Sequence, residues 1–214
     1  PEDSNLKMIN TMAEKAMLLE KLGVNHLIIT PFTRDFSNLK PEEYVKEMLI
    51  QKIGMKALVI GYDHRFGVNR LADINDLIVF GEKYGFEVEQ ISAQEINEIS
   101  VSSTKIRNAL EEGDIVLANK YLGYDYFLTG TIIKGKQLGR TIGFPTANLK
   151  IEENYKLIPR NGVYIVSSII NNKTVFGMMN IGYNPTVEGK TQTIEIHFFN
   201  FNKDLYGKKI QIDV

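Results

Sequence analysis

The chain has 214 residues, a formal net charge of −1, 43% hydrophobic residues and no cysteine. Near-neutral charge argues against a nucleic-acid or membrane-surface protein, and the lack of Cys excludes disulfides and thiolate metal sites while being compatible with a reducing cytoplasm. No apolar run approaches the roughly 20 residues needed to span a bilayer, and the length allows one large domain or two of ordinary size.

The first residues, PEDSN, form a polar turn with no initiator Met, so the chain is expected to begin inside a longer parent. Met12, Ala16, Leu19 and Leu22 form a helical stripe over residues 9–22, ended by Gly23. Residues 24–30 (VNHLIIT) read as a buried strand. Pro41 opens a second helix with Tyr44, Val45, Met48, Leu49 and Ile53 inward and Gly54 as its stop. Residues 57–60 form a strand reaching Gly61, Asp73 starts a helix through Tyr84 and Gly85, and residues 86–91 read as a further strand. This alternation predicts a parallel α/β sheet with ligands at the C-terminal ends of its strands.

Two segments at such ends carry chemistry. Gly61-Tyr62-Asp63-His64-Arg65-Phe66-Gly67, continuing to Asn69 and Arg70, follows a strand; on composition alone it is an ordinary polar loop with a surface histidine. Ser102-Ser103-Thr104-Lys105-Ile106-Arg107 runs into a helix, and plain N-capping by Ser102 or Ser103 accounts for the hydroxyls. Yet Lys105 and Arg107 lie near the positive end of the helix dipole, at a cost of about 0.3–1 kcal/mol per charge. A bound phosphate turns that penalty into attraction, which favours an anion site.

Residues 114–122 form a short amphipathic helix ending at Gly123, the expected joint between an α/β domain, 1–123, and an all-β domain, 124–214. Beyond it the hydrophobic period becomes alternating. Residues 162–170 and 175–181 form a hairpin about Asn171-Asn172, and residues 180–186 read as a turn. Residues 193–199 place Ile194, Ile196 and Phe198 on one face and Glu195, His197 and Phe199 on the other, and residues 209–214 are a last strand. Repeated short strands with almost no helix indicate a small closed antiparallel barrel.

The stretch from Gly130 to Asn148, GTIIKGKQLGRTIGFPTAN, organises the second half. Glycines at this spacing admit backbone N–H groups to a bulky anion, and Lys134, Lys136 and Arg140 add positive charge. Pro145 fixes its own φ and extends Phe144, which aims the Thr146 hydroxyl and the Asn148 amide. Gly130-x4-Gly135-Lys136 imitates a P-loop, but Gln137 stands where Ser or Thr is needed and no helix follows before Pro145. On spacing alone, a surface β-turn accounts for the loop equally well. The two side chains able to bind Mg²⁺ or a triphosphate directly behind it favour a nucleotide loop.

The pattern G-x4-G-x3-GR-x2-GFPTAN resembles the signature of riboflavin kinases, the flavokinase module of the bacterial bifunctional riboflavin kinase/FMN adenylyltransferase (FAD synthetase) family. The resemblance implies an incomplete nucleotidyltransferase (Rossmann-like) parallel-sheet domain followed by a small antiparallel riboflavin-kinase β-barrel. It implies that Gly135, Lys136, Gly139, Gly143 and Arg140 surround the ATP phosphates and that Thr146 and Asn148 hold Mg²⁺ and nucleotide. It implies further that Glu195, in an ExHxxxFxxDLYG pattern, is the base that deprotonates riboflavin; His197 shares its face and is expected to act from behind it at most. Asn200 stands where many relatives carry Asp. Asp63, Phe66, Arg70, Ser103, Thr104 and Arg107 match the family's GxDxxFGxxRxG and ISSTxIR motifs, with Val101 and Ala72 as departures, and are expected to line the nucleotide and flavin pockets of the adenylyltransferase half. The family's HxGH segment has no counterpart in this sequence, and the family chain continues beyond residue 214 into a C-terminal helix.

The expected chemistry is ATP plus riboflavin giving FMN and ADP in the barrel and, in the full-length parent, adenylylation of FMN to FAD. The expected setting is cytoplasmic, with Mg²⁺, ATP, riboflavin and FMN as small-molecule partners, and no nucleic acid or membrane. Other readings are a catalytically incomplete nucleotide- or flavin-binding regulator, a nucleotidyltransferase for another vitamin, and an oligonucleotide-binding barrel. The last lacks the interleaved aromatic and basic residues such a surface needs.

Overall fold

The computed structural model of the chain describes residues 6–61, 64–91, 95–96, 99–135, 145–186 and 189–214. In chain order the α-helices are α1 (Met12–Lys21), α2 (Arg34–Ser37), α3 (Pro41–Glu43, continued by wider π-type turns over Tyr44–Lys52), α4 (Ile74–Tyr84), α5 (Ser103–Glu112) and α6 (Ile115–Leu122). The strands are β1 (Ala57–Gly61), β2 (Glu87–Ile91), β3 (Glu95–Ile96), β4 (Ile99–Ser100), β5 (Phe127–Ile133), β6 (Ala147–Lys150), β7 (Gly162–Ile170), β8 (Lys173–Thr186), β9 (Gly189–Phe198) and β10 (Lys209–Asp213). No helix among the described residues is long and apolar enough to cross a membrane. The chain divides into two units, one of residues 1–25 with 101–214 and one of residues 26–100.

The 26–100 unit is α/β. β1 and β2 pair in parallel from Ala57–Glu87 to Gly61–Ile91, with α4 as the crossover between them. Asp73 starts α4 with a capping box: its carboxylate accepts from Asn75 N (2.8 Å) and its own N–H donates to Asp76 (2.9 Å). Val45, Ile60, Leu77 and Phe86 form the core. The sheet the alternation predicts is therefore present as a parallel pair, and its C-terminal edge leads into the segment after Gly61.

The other unit is built on a closed barrel in the order β10-β5-β6-β9-β8-β7, antiparallel throughout. Alternation sets its interior: Leu128, Ile132, Met179, Ile181, Ile196 and Ile212 are at most 2% exposed. Each such side chain contributes about 1.5–3 kcal/mol by leaving water. The β7–β8 turn is made by Asn171 (φ 51°) and Asn172 (φ 61°), the left-handed pair that a two-residue hairpin requires.

α1, α5 and α6 belong to this same unit. A buried ion pair fastens α1 to the barrel. Lys156 Nζ lies 2.7 Å from Glu14 Oε2, with side-chain exposures of 0% and 2%. Nζ also donates to Ile9 O (2.7 Å) and sits 4.5 Å from the Tyr126 ring centroid. Glu14 accepts in addition from Thr11 N (2.8 Å) and Thr129 N (3.1 Å). Burial lowers the Lys156 pKa below its ordinary value, opposed by the Glu14 charge.

Three segment readings are corrected. The run 24–30 joins no ladder among the described residues, and Ile28 and Ile29 are exposed: apolar content marks a strand only when a neighbour supplies hydrogen bonds. On α1 the buried side chain is Glu14, while Met12 and Leu22 of the predicted stripe are exposed, because Lys156 claims the inward face. Residues 180–186 are strand, not turn. β8 pairs with β9 as far as Thr186–Gly189, so Gly182 and Pro185 sit within the ladder.

Candidate active site

β6 and β9 meet over two pairs only, Ala147–Ile196 and Asn148–Glu195. Residues directly opposite in an antiparallel pair project from the same face, with Cβ atoms about 4.5–5.5 Å apart. Ile196 is buried inside the barrel, so the Asn148–Glu195 pair belongs to the outer face. Both side chains are half-buried, and β8 extends the row with Asn180 opposite Glu195.

Gly135 completes this group. A Cβ there would lie 2.1 Å from Asn148 Nδ2 and 2.6 Å from its Cγ, so the Asn148 carboxamide rests on space that only glycine leaves open. Thr146, two residues before Asn148, borders a cleft of about 440 Å³. Pro145, Thr146 and Ala147 form one side of this cleft, Ile132, Ile196 and Phe198 its apolar floor, and residues 201–206 the other side. That opposite wall is held to β5: Gly207 N donates to Ile132 O (2.8 Å), Asp204 caps Tyr206 N (2.8 Å), and Lys134 Nζ lies 5.8 Å from the Tyr206 ring centroid.

The structure thus brings together Gly135 (two residues after β5), Thr146 (just before β6), Asn148 on β6 and Glu195 on β9. Lys136, Gly139, Arg140 and Gly143 lie outside the described residues, as does Asp63. Sequence reading missed the wall at Phe201, Asn202, Lys203 and Asp204; the DLYG run was its visible signal, read only as part of the pattern around Glu195. It also missed that His197 bonds Pro145: its Nδ1 lies 2.9 Å from the Pro145 carbonyl oxygen.

The donor set suits a hard cation. Thr146 and Asn148 offer neutral oxygens, and the glycine at 135 leaves the carboxamide its place. Among the described residues no cluster of three His, Cys, Asp or Glu side chains exists to cage a metal by itself. Such a sparse set of oxygens is compatible with Mg²⁺, which keeps several waters and is bound by one or two protein groups together with substrate phosphates.

In the 26–100 unit, the segment after β1 is tied by paired bonds between Phe66 and Ala72 (3.1 and 3.2 Å). Phe66 stacks on His64 (6.4 Å between centroids, 18°), and both border a cleft of about 150 Å³ at the C-terminal end of β1. Arg70 is exposed at φ 55°. In the other unit, Ser102 Oγ accepts from Lys105 N (3.3 Å), the plain cap, and Ser103 and Thr104 stand exposed on the first turn of α5. Arg107 is half-buried and donates from Nε to Lys7 O (3.0 Å), so part of its guanidinium serves the fold.

Residues 122–214 match the family model for riboflavin kinase, and residues 1–105 match that for FAD synthetase. Among relatives, the bifunctional riboflavin kinase/FMN adenylyltransferase of Listeria monocytogenes is 37% identical over 97% of this chain and 65% of its own length. That of Buchnera aphidicola subsp. Schizaphis graminum is 38% identical over 96% and 67%, and that of Escherichia coli K12 is 34% identical over 95% and 65%. A crystal structure described as a macrolide-efflux protein from Streptococcus pneumoniae superposes with a TM-score of 0.86 at 31% identity, covering 96% of this chain and 66% of that one. The chain therefore spans about two thirds of the length of the curated relatives it matches. With both family models matched in order and identities of 34–38% along nearly its whole length, the chain belongs to the bifunctional riboflavin kinase/FMN adenylyltransferase family.

Proposed function

We propose that the barrel phosphorylates riboflavin with ATP, giving FMN and ADP, and that Glu195 is the base. The observation that carries this reading is the Asn148–Glu195 pair beside Gly135, next to a cleft bordered by Thr146. The cleft is of the size that takes a small heterocyclic ligand, and its floor of Ile132, Ile196 and Phe198 suits the adenosine part of ATP. Thr146 and Asn148 hold the phosphate end, helped by Gly135, Lys136, Gly139, Arg140 and Gly143. Glu195 accepts the proton of the riboflavin 5′-hydroxyl as its oxygen bonds to the γ-phosphorus. The bond from γ-phosphorus to the bridging oxygen breaks, and ADP leaves with those electrons. Phosphoryl transfer asks mainly positioning and charge neutralisation of the protein, so one carboxylate and an ordered phosphate site suffice. Mg²⁺, held by Thr146 and Asn148, would neutralise charge on the transferring phosphoryl group.

For the whole protein the proposal extends to transfer of AMP from a second ATP to FMN, with Asp63, Phe66, Arg70, Ser103, Thr104 and Arg107 lining nucleotide and flavin pockets. Residues 1–123 and 124–214 are proposed as the corresponding functional modules, and the proposed setting is the cytoplasm. The three curated relatives named above are designated as enzymes, which disfavours a pure binding regulator. To test the kinase reading, Glu195→Gln is compared with the unmodified chain in FMN formation at saturating Mg·ATP and riboflavin. A fall of about 10²–10⁴-fold is expected for loss of a general base; unchanged turnover sinks the assignment.

A further inference from the structure

His197 lies on the outer face of β9, two residues beyond Glu195. The register Asn148–Glu195, Ala147–Ile196 would next set Thr146 against His197, but the ladder ends there. The preceding residue, Pro145, has no N–H to continue the pairing. Its carbonyl is met instead by the imidazole, with Nδ1 2.9 Å from the oxygen. A carbonyl only accepts, so Nδ1 carries the proton and donates it. The ring is braced edge-on by Phe199, its centroid 5.8 Å away at 69°.

The carbonyl of Pro145 and the N–H of Thr146 belong to one planar peptide unit. Fixing the oxygen fixes the plane, and with it the direction in which the chain enters Thr146, which borders the cleft. From this geometry we infer that His197 is a positioning residue for the nucleotide: it holds the Pro145 carbonyl just beyond the end of the ladder and sets the pose of Thr146, and of Asn148 beyond it, before ATP arrives. This inference rests on the reading that Thr146 and Asn148 hold the phosphates of ATP. His197 itself touches no reacting atom in this scheme.

The test uses three variants of the full chain. In His197→Asn the amide nitrogen falls near the place of Nδ1 and can still reach the Pro145 carbonyl. His197→Gln extends toward the place of Nε2 and cannot, and His197→Ala has no donor. The Ala and Gln variants are expected to raise the KM for Mg·ATP about tenfold, as loss of one hydrogen bond implies. Their kcat changes less and their riboflavin KM stays put, while the Asn variant recovers most of the loss. In the unmodified protein, nitrogen NMR of the His197 ring should show the proton of the neutral form on Nδ1. An Asn variant as impaired as the Ala variant, with both folded, would overturn the inference, as would a ring protonated only on Nε2. An unmodified chain that makes no FMN overturns the kinase reading instead; the ring tautomer then still decides whether the His197–Pro145 bond exists.

Discussion

The pair that fastens α1 to the barrel makes a sharp prediction because its hydrogen bonds can be counted. Glu14 accepts from Thr11 N, Thr129 N and Lys156 Nζ, and Lys156 donates to Ile9 O as well. With side-chain exposures of 0% and 2%, neither charge has water to fall back on. Lys156→Met fills similar space but strands a buried carboxylate, at a cost of about 3–5 kcal/mol. Glu14→Gln strands the ammonium and leaves one oxygen for three donors, so at least one donor is orphaned at about 1–3 kcal/mol. The double variant Glu14→Gln/Lys156→Met buries no charge; it leaves one backbone N–H without the oxygen it bonded and the Ile9 carbonyl without the Lys156 donor, the second loss being shared with Lys156→Met. It should therefore be no less stable than Lys156→Met alone, with a coupling free energy of about 3 kcal/mol or more. Urea unfolding followed by far-ultraviolet circular dichroism measures all four proteins; the absence of Trp makes this the convenient signal. Thermal unfolding should follow, at roughly 2–4 °C per kcal/mol. Additive losses in the double variant would refute the reasoning, because they would mean that the two charges do not depend on each other.

Two glycines should separate fold from site. At Gly130 a Cβ would lie 2.4 Å from the Lys150 carbonyl oxygen, part of the β5–β6 ladder, so Gly130→Ala should lose about 2–3 kcal/mol or more in urea unfolding. At Gly135 the three nearest atoms it would meet all belong to the movable end of Asn148, so Gly135→Ala should stay within about 1 kcal/mol of the parent in stability while raising the Mg·ATP KM by about tenfold or more. Asn172→Gly relieves a left-handed residue in the β7–β8 turn and should stabilise by about 0.5–1 kcal/mol; a loss would show that the Asn172 side chain holds the turn. Burial, reinforced by the Glu14 charge, raises the Tyr126 pKa well above 10.0. Between the unfolded value near 10 and the raised native one, the unfolded chain releases a proton that the native protein keeps. Stability should thus fall as pH rises through that window, and Tyr126→Phe should flatten the fall; phenolate absorbance should show Tyr126 ionising last among the tyrosines.

What was legible in the sequence follows the strength of local constraint. The barrel could be read because Ile194, Ile196 and Phe198 alternate with polar neighbours, and their burial at 4%, 0% and 6% is what that alternation demands. α4 could be read because Asp73 and Gly85 mark both of its ends. α1 was placed correctly but its buried face was not, since the partner that decides the face, Lys156, lies 142 residues away. The strand expected at residues 24–30 failed for a related reason: periodicity reports what a segment would bury, not whether a neighbour exists. At the site, Asn148 and Glu195 could be named from motifs, yet their pairing across β6 and β9 is a matter of register. The contact of Gly135 with Asn148 and the bond from His197 to Pro145 are equally invisible in a linear pattern.

Register also explains why such a site is robust. A slip of β9 by one residue would carry Glu195 into the barrel and turn Ile194, Ile196 and Phe198 out to water. At about 1.5–3 kcal/mol each, those three side chains alone oppose the slip by roughly 4.5–9 kcal/mol, comparable with the whole stability of an ordinary domain. The residues that position the carboxylate are therefore its inward-facing sequence neighbours, which touch no phosphate. What the core does not fix is the direction of the chain where β6 gives way to Pro145, because the ladder has run out and proline has no N–H to offer. There the His197 ring holds the Pro145 carbonyl, and local precision at Thr146 depends on that bond rather than on hydrophobic burial.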